Sequence, residues 1–536
     1  MAFRRTTLPL ALAAVALGSA CGGGGGSTPG TSAPGNAMPD NREATPGGTL
    51  ALALAEDPDA LDPTLARTLV SREVFVSMCE KLYDIGETLE LVPQLAADLP
   101  EVSEDGKTVT IKVRDDVTFN DGTKMDAQAV KISLDRHRGL EGSARKSELS
   151  AVTSVDVVDP TSVQLTLTAP FSPLTAQLAD RAGMIMSPAQ LEKLGEKFAD
   201  EPVCAGPFEF VSRTPGNEIV LKKATDYYDA AKVPLDNLTY KIITDGNVRL
   251  ANVKSGDVQV AERISATDVA KLESDPTVRL VSQDSLGYQG VTINVGNVAG
   301  IGEPAGKVDT PLGSSPDLRK AFELSLDRDV INQVVFAGKN KPGCTPLPPA
   351  SPYFDESLTC PARDLDEAKK LVAASGLPTP IPVALNTSTS PEVLRLGQVI
   401  QAQAKEAGFD VKVQSGEFAS SLDRADAGDF DALQVGWSGR VDPDGNTYNH
   451  LHSGAPLNTS GESNPVIDKA LDDARLSDVM DERKKLYSQA IRAAMEDRAI
   501  VYLYHPVNYL ATAPDVTGVV YYADGLPRMK TAGFAK

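Results

Sequence analysis

A single long apolar run, Leu8 to Ala20, follows the basic pair Arg4 and Arg5 and decides which part of the chain can fold. The run is shorter than the ~20 residues a helix needs to cross a bilayer. A basic start, an apolar centre and small residues at its end make residues 1–20 a secretory signal, to be left out of fold reasoning. Residues 21–47 are nearly all Gly, Ser, Thr, Pro, Ala and Asn, without an apolar pattern that could bury surface, so a flexible linker is expected there. No second apolar run approaches membrane length. The body, residues 48–536, is therefore expected to be soluble and long enough for two or three domains. Losing Arg4 and Arg5 with the signal takes the formal charge from −21 to −23. So acidic a body disfavours nucleic acid or anionic lipid across a broad surface, although the field inside a cleft can oppose the global one.

Cys21 stands directly after Leu17, Gly18, Ser19 and Ala20. This resembles the bacterial lipobox, in which that thiol is lipidated, except that the leucine lies one residue further back. The alternative is an ordinary cleaved signal with an incidental cysteine. Four cysteines remain, Cys79, Cys204, Cys344 and Cys360. An even number in an exported chain points to disulfides, with three possible connectivities. Cys344 and Cys360 flank a proline-rich loop and would form a local staple; by elimination Cys79 would pair with Cys204. Their spacing fits no zinc site.

Phe430 to Val435 is a short apolar and β-branched run between Gly428 and Gly436, the pattern of a buried strand. It leads into Trp437, the only tryptophan, then Gly439, Arg440, Asp442, Pro443, Asp444 and Asn446. Open α/β sheets present ligand groups on such loops at the carboxyl ends of strands. The alternative is a core tryptophan followed by a simple turn.

Further motifs run in order along the body. Gly48 to Leu54 reads as a strand before a loop with two Asp-Pro turns that contains Asp59, and a helix is expected from about Arg67 to Tyr83. Leu91, Pro93, Leu95 and Ala96 precede Asp105-Gly106-Lys107-Thr108, a strand at Val109 to Val113, Arg114, and Phe119 to Thr123. Asp126 is expected to cap the helix that follows. Cys204 to Phe210, Thr225 to Tyr228, Leu250 to Asp257, Leu318 to Arg328 and Asp366 to Val372 complete the series. Together these resemble, over nearly all of residues 48–536, the family 5 solute-binding proteins of ABC importers, which include the dipeptide- and oligopeptide-binding proteins. Pro100 stands where that family has a tryptophan, and Asp116 and Asn120 where glycine and histidine are common.

The resemblance implies an α/β, periplasmic-binding-protein-like fold (cluster C, type II) with two lobes and three subdomains. Lobe I would combine residues 48–66, 205–287 and 507–536, with an inserted subdomain at 67–204; lobe II would be residues 288–506. The chain would cross between lobes near Leu286–Asn294 and His505–Tyr509, with Tyr288 and Asn294 at the first crossing. Function would be closure of the cleft on a small solute, peptide or peptide-like, and delivery to a permease with its ATPase subunits. The protein would act as a monomer without cofactor or metal. It would be lipid-anchored at Cys21 on the outer face of the cell membrane, or periplasmic.

In peptide-binding relatives the stretch matching Gly436 to Pro443 carries an aspartate that pairs with the peptide α-amine. Here that position is Arg440, so the charge is inverted. A guanidinium facing a buried ammonium is unfavourable. Three readings stay open. Asp442 or Asp444 takes over the amine, Arg440 binds a carboxylate or phosphate, or Arg440 pairs internally with Asp442. A non-peptide ligand, such as an opine, oligosaccharide, glutathione-like anion or metal chelate, is the alternative on the same fold. Catalysis has little support: there is no Gly-x-Ser-x-Gly elbow, no His-Glu-x-x-His and no phosphate-binding Gly-x-x-x-x-Gly-Lys loop. Of the four histidines, His450 and His452 would be a weak metal pair and read better as surface polar groups.

Overall fold

The computed structural model describes Asp40 and residues 42–536. The signal segment, Cys21 and the linker up to residue 39 lie outside the described residues. Three sheets organise the rest. The largest has seven strands, ordered Arg279–Asp284, Val507–Thr512, Val260–Ala261, Thr49–Leu54, Asn237–Ile242, Glu218–Lys223 and Phe208–Thr214. Thr49–Leu54 lies at its centre, parallel to two neighbours. Its near-continuous apolar sequence suits a strand covered on both faces. Leu50, Leu52 and Leu54 point into one core with Val74 and Phe75 of the helix Leu69–Met78, while Ala51 and Ala53 point into another with Val253, Val258 and Val269.

A six-stranded sheet runs Lys341–Pro342, Ile500–His505, Tyr288–Ile293, Ala432–Trp437, Ile381–Ser388 and Phe409–Gly416. The same alternation splits its faces: Val501 and Leu503 join one core, Ile500 and Tyr502 the other. The chain passes between the two large sheets at residues 285–287 and at Pro506. These crossings are tied together, since Ser285 N–H donates to the Pro506 carbonyl (3.0 Å) and His505 Nδ1 lies 2.9 Å from the Gly287 carbonyl.

The third sheet is antiparallel, Glu101–Val102, Thr108–Lys112, Ser162–Leu167 and Val152–Asp159, with Val109, Ile111, Val163 and Leu165 packed against Val130 and Leu134 of the helix Ala127–Gly139. Asp126 caps that helix by accepting from Ala129 N–H at 3.0 Å. Both disulfides are present, Cys79–Cys204 and Cys344–Cys360. Among the described residues no helix is long and apolar enough to cross a membrane.

His137, on the helix Ala127–Gly139, has no exposed surface. Its ring lies between Thr64 Oγ1 (2.9 Å from Nδ1) and the Met184 carbonyl (3.0 Å from Nε2), an arrangement that suits the neutral form. Burial pushes its pKa down to about 4. An unfolded histidine takes up its proton near pH ~6.5. Stability contributed by the neutral ring is therefore present above that pH and lost as pH falls towards 4. The deficit of His137→Asn relative to the parent, measured by urea unfolding, is expected to shrink by about 2–3 kcal/mol between pH 7.5 and 4. A deficit independent of pH would contradict this.

Candidate functional site

The strand Ala432–Trp437 runs antiparallel to Tyr288–Ile293 and brings Trp437 opposite Tyr288. Beyond Trp437 the chain folds back so that Gly439 bridges Leu286. Only glycine fits there: φ is +85°, and a Cβ would lie 2.2 Å from the Leu286 carbonyl carbon. One fully buried amide, Asn446, organises the turn. Its Oδ1 accepts from Trp437 Nε1 (3.1 Å) and Arg440 N–H (2.7 Å), and its Nδ2 donates to the Leu286 and Arg440 carbonyls. The loop is shorter than the sequence suggests, because Asp444 already opens the helix Asp444–Leu451.

The two loop carboxylates are committed. Asp442 accepts two bonds from Arg483, both 2.8 Å. Asp444, with no exposed surface, accepts two from Arg475 at 2.6 and 2.9 Å. Burial raises the Asp444 carboxyl above its ordinary value even beside that partner. Both acids are thus paired with arginines of the chain, and Asp442 pairs with Arg483, not with Arg440.

Arg440 reaches across instead. Its Nε lies 2.7 Å from Asp180 Oδ2, and its guanidinium covers the Trp437 ring at 4.4 Å from the centroid. Asp180 belongs to the segment that carries the four-stranded sheet, and its other oxygen accepts from Arg72 Nε at 3.1 Å. Burial alone would raise the Asp180 carboxyl, but the guanidiniums of Arg72, Arg440, Arg181 and Arg145 outweigh it and hold it well below the usual carboxylate range. Burial, with repulsion from Arg72, brings Arg440 down to about 10. Arg145 pairs with Glu148, so four guanidiniums share two carboxylates.

These segments enclose a cavity of about 30 Å³ lined by Arg72, Gln177, Asp180, Arg440, Asp442 and Asp524, among others. A water needs roughly 10–15 Å³ on this measure, so there is room for about two. The gap between residues 67–204 and residues 288–506, to which this cavity belongs, is also shut elsewhere: Arg67 pairs with Asp426 at 2.9 Å, and Ser172 N–H donates to the Arg475 carbonyl at 2.9 Å.

Of the remaining expected site residues, Tyr288 is buried edge-on to Tyr502 behind Trp437. Asn294 does not face the gap. Its amide is consumed by Asn297 N–H and the carbonyls of Asn297 and Gly428, where it holds a buried turn. Asp59 is also structural: it accepts from the N–H groups of Arg67 and Thr68 and the hydroxyls of Thr68 and Ser71, ahead of the helix Leu69–Met78. His450 is partly buried against the Trp437 ring and not a surface group, while His452 stacks on Tyr448. Among the described residues no three His, Cys, Asp or Glu side chains are grouped to hold a metal. Arg72, Asp180, Arg181, Arg475 and Arg483 were not singled out by the sequence, and Asn446 was marked only as the end of the loop, not as its organising amide. Asp180 is one of 73 acidic residues, and no local pattern links positions 72, 180 and 440.

Residues 90–458 match the family described as bacterial extracellular solute-binding proteins, family 5 Middle. The chain is 27% identical over 482 residues to a glutathione-binding protein of Pectobacterium atrosepticum, covering 87% of this chain and 90% of that one. Among solved structures, a periplasmic binding protein of A. tumefaciens R10 in complex with agropinic acid superposes with a TM-score of 0.82 at 27% identity, covering 91% of this chain and 99% of the other. The Helicobacter pylori protein DppA, in complex with the peptide STSA, shares the fold with a TM-score of 0.83 at 23% identity, covering 92% and 99%.

Proposed function

Because this chain belongs to the bacterial extracellular solute-binding proteins of family 5, whose fold it shares with a protein associated with an ABC transporter, we propose that it captures a small peptide or peptide-like solute and delivers it to the permease of an ABC importer. The observation that carries this reading is the Arg440 loop, built on the six-stranded sheet, meeting Arg72 and Asp180 across the gap. In this reading residues 48–66, 205–287 and 507–536, with 67–204 inserted, form one lobe and residues 288–506 the other. The lobes rotate about the crossings at residues 285–287 and Pro506. A solute that makes contacts with both lobes only when they are shut moves the population to the closed form. Trp437 supplies an apolar wall, and Arg440 fixes the charged end of the solute.

The linker and a lipid on Cys21 would hold this carrier, as a monomer, near the membrane of an exporting cell. Relatives that bind glutathione or agropinic acid favour a polar, acidic solute over an oligosaccharide or metal chelate. Thermal-shift measurement against short peptides and acidic solutes is the test. A ligand at 100 times its dissociation constant is expected to stabilise the protein by about 2.7 kcal/mol. If no peptide raises the melting temperature, the peptide reading is wrong.

A further inference from the structure

Every carboxylate that lines the gap already has an arginine partner. Asp180 is held by Arg72 and Arg440, Asp442 by Arg483, and Asp524 by Arg528 at 2.9 and 3.0 Å. The lining cations are in the opposite condition. Arg72 uses Nε on Asp180 and Nη1 on Ser438, and Arg440 uses Nη1 on Ser438 and the Gly439 carbonyl, while its Nε faces Asp180 Oδ2 as an ion pair without hydrogen-bond geometry. The Nη2 group of each makes no hydrogen bond to any described residue. Four guanidiniums against two carboxylates also leave a local positive excess in a protein whose formal charge is −21. An ammonium brought here would meet that excess, and the one lining carboxylate oxygen without a hydrogen bond, Asp180 Oδ2, already faces Arg440 Nε at 2.7 Å, whereas an anion would satisfy both donors and the charge.

Resting on the solute-capture reading above, we propose that the gap seats its solute by a carboxylate held between the Nη2 groups of Arg72 and Arg440, and that the solute needs no free ammonium group. Asp180 stays in place as the fixed counterion that aligns the two guanidiniums. This sets the chemical class: acidic, amine-blocked or amine-free peptide-like molecules bind, and a peptide whose only charge is its amine does not.

The test is calorimetric titration with glutathione and with Ser-Thr-Ser-Ala, each with carboxylates free or esterified and with the amine free or acetylated. Esterification is expected to weaken binding at least about tenfold and acetylation less than about threefold. Arg440→Gln, and independently Arg72→Gln, should erase the difference between acid and ester. An ester that binds as tightly as its acid, or an acetylation loss of about tenfold or more, overturns the proposal while leaving solute capture intact. If neither peptide binds in any form, the peptide reading fails on its own, and millimolar citrate and succinate decide the seat. Stabilisation of the parent but not of Arg440→Gln supports the seat, and no stabilisation of the parent overturns it.

Discussion

Asp180→Asn is expected to lower the unfolding free energy of the ligand-free protein by about 3–5 kcal/mol, the range for removing one partner of a buried ion pair. The substitution keeps the shape but removes the charge that Arg72, Arg440 and Arg181 share. All four side chains are at most 12% exposed, so solvent cannot take over the role of the carboxylate. The cross-gap pair Arg67–Asp426 provides the contrast. Its side chains are 47% and 29% exposed, and Asp426→Asn should change stability by no more than about 1 kcal/mol. Urea unfolding followed by circular dichroism checks both. Equal effects at the two sites would mean that Asp180 is not the counterion around which the gap is built.

Removal of the Cys79–Cys204 bridge by Cys→Ala at both positions is expected to have a comparable or larger effect. The bridge closes a loop of 125 residues, which contains the whole four-stranded sheet. Chain entropy puts the stabilisation from a loop of that length at about 5 kcal/mol, and from one like Cys344–Cys360, separated by 16 residues, at about 3. Its surroundings reinforce the constraint. Both cysteines are buried, Glu80 N–H donates to the Ala205 carbonyl at 2.9 Å, and a Cβ on Gly206 would lie 2.3 Å from the Met78 carbonyl oxygen. The two double variants, compared by thermal unfolding, should rank with the Cys79/Cys204 pair losing more. The reverse order would contradict the view that the segment between Cys79 and Cys204 is held mainly at its base.

Much of this arrangement is legible in the sequence where the signal is local. The strand expected from Gly48 is found at Thr49–Leu54, and the cap at Asp126 is found as expected. The helix expected to run to Tyr83 stops at Met78, because Cys79 turns to extended backbone (φ −129°, ψ 105°), where it meets Cys204. The order of motifs, more than any one of them, carries the fold. The site is only half legible. The composition of the Trp437 to Asn446 loop marks it out, but what its charges do depends on partners far along the chain. Arg483 and Arg475 occupy Asp442 and Asp444, and Asp180 occupies Arg440. Hydrophobic periodicity cannot announce such pairs. Asn294 and Asp59 misled for a related reason: a polar residue beside a turn satisfies nearby backbone as readily as it faces a ligand.

The protein supplies its own probe of the central claim. Trp437 is the only tryptophan, and the Arg440 guanidinium lies over its ring, so its emission reports on this loop alone. In a titration with a solute that calorimetry shows to bind, Trp437 emission should change saturably, with a midpoint equal to the calorimetric dissociation constant. Binding by calorimetry with no change in Trp437 intensity or wavelength would place the solute elsewhere and contradict the account.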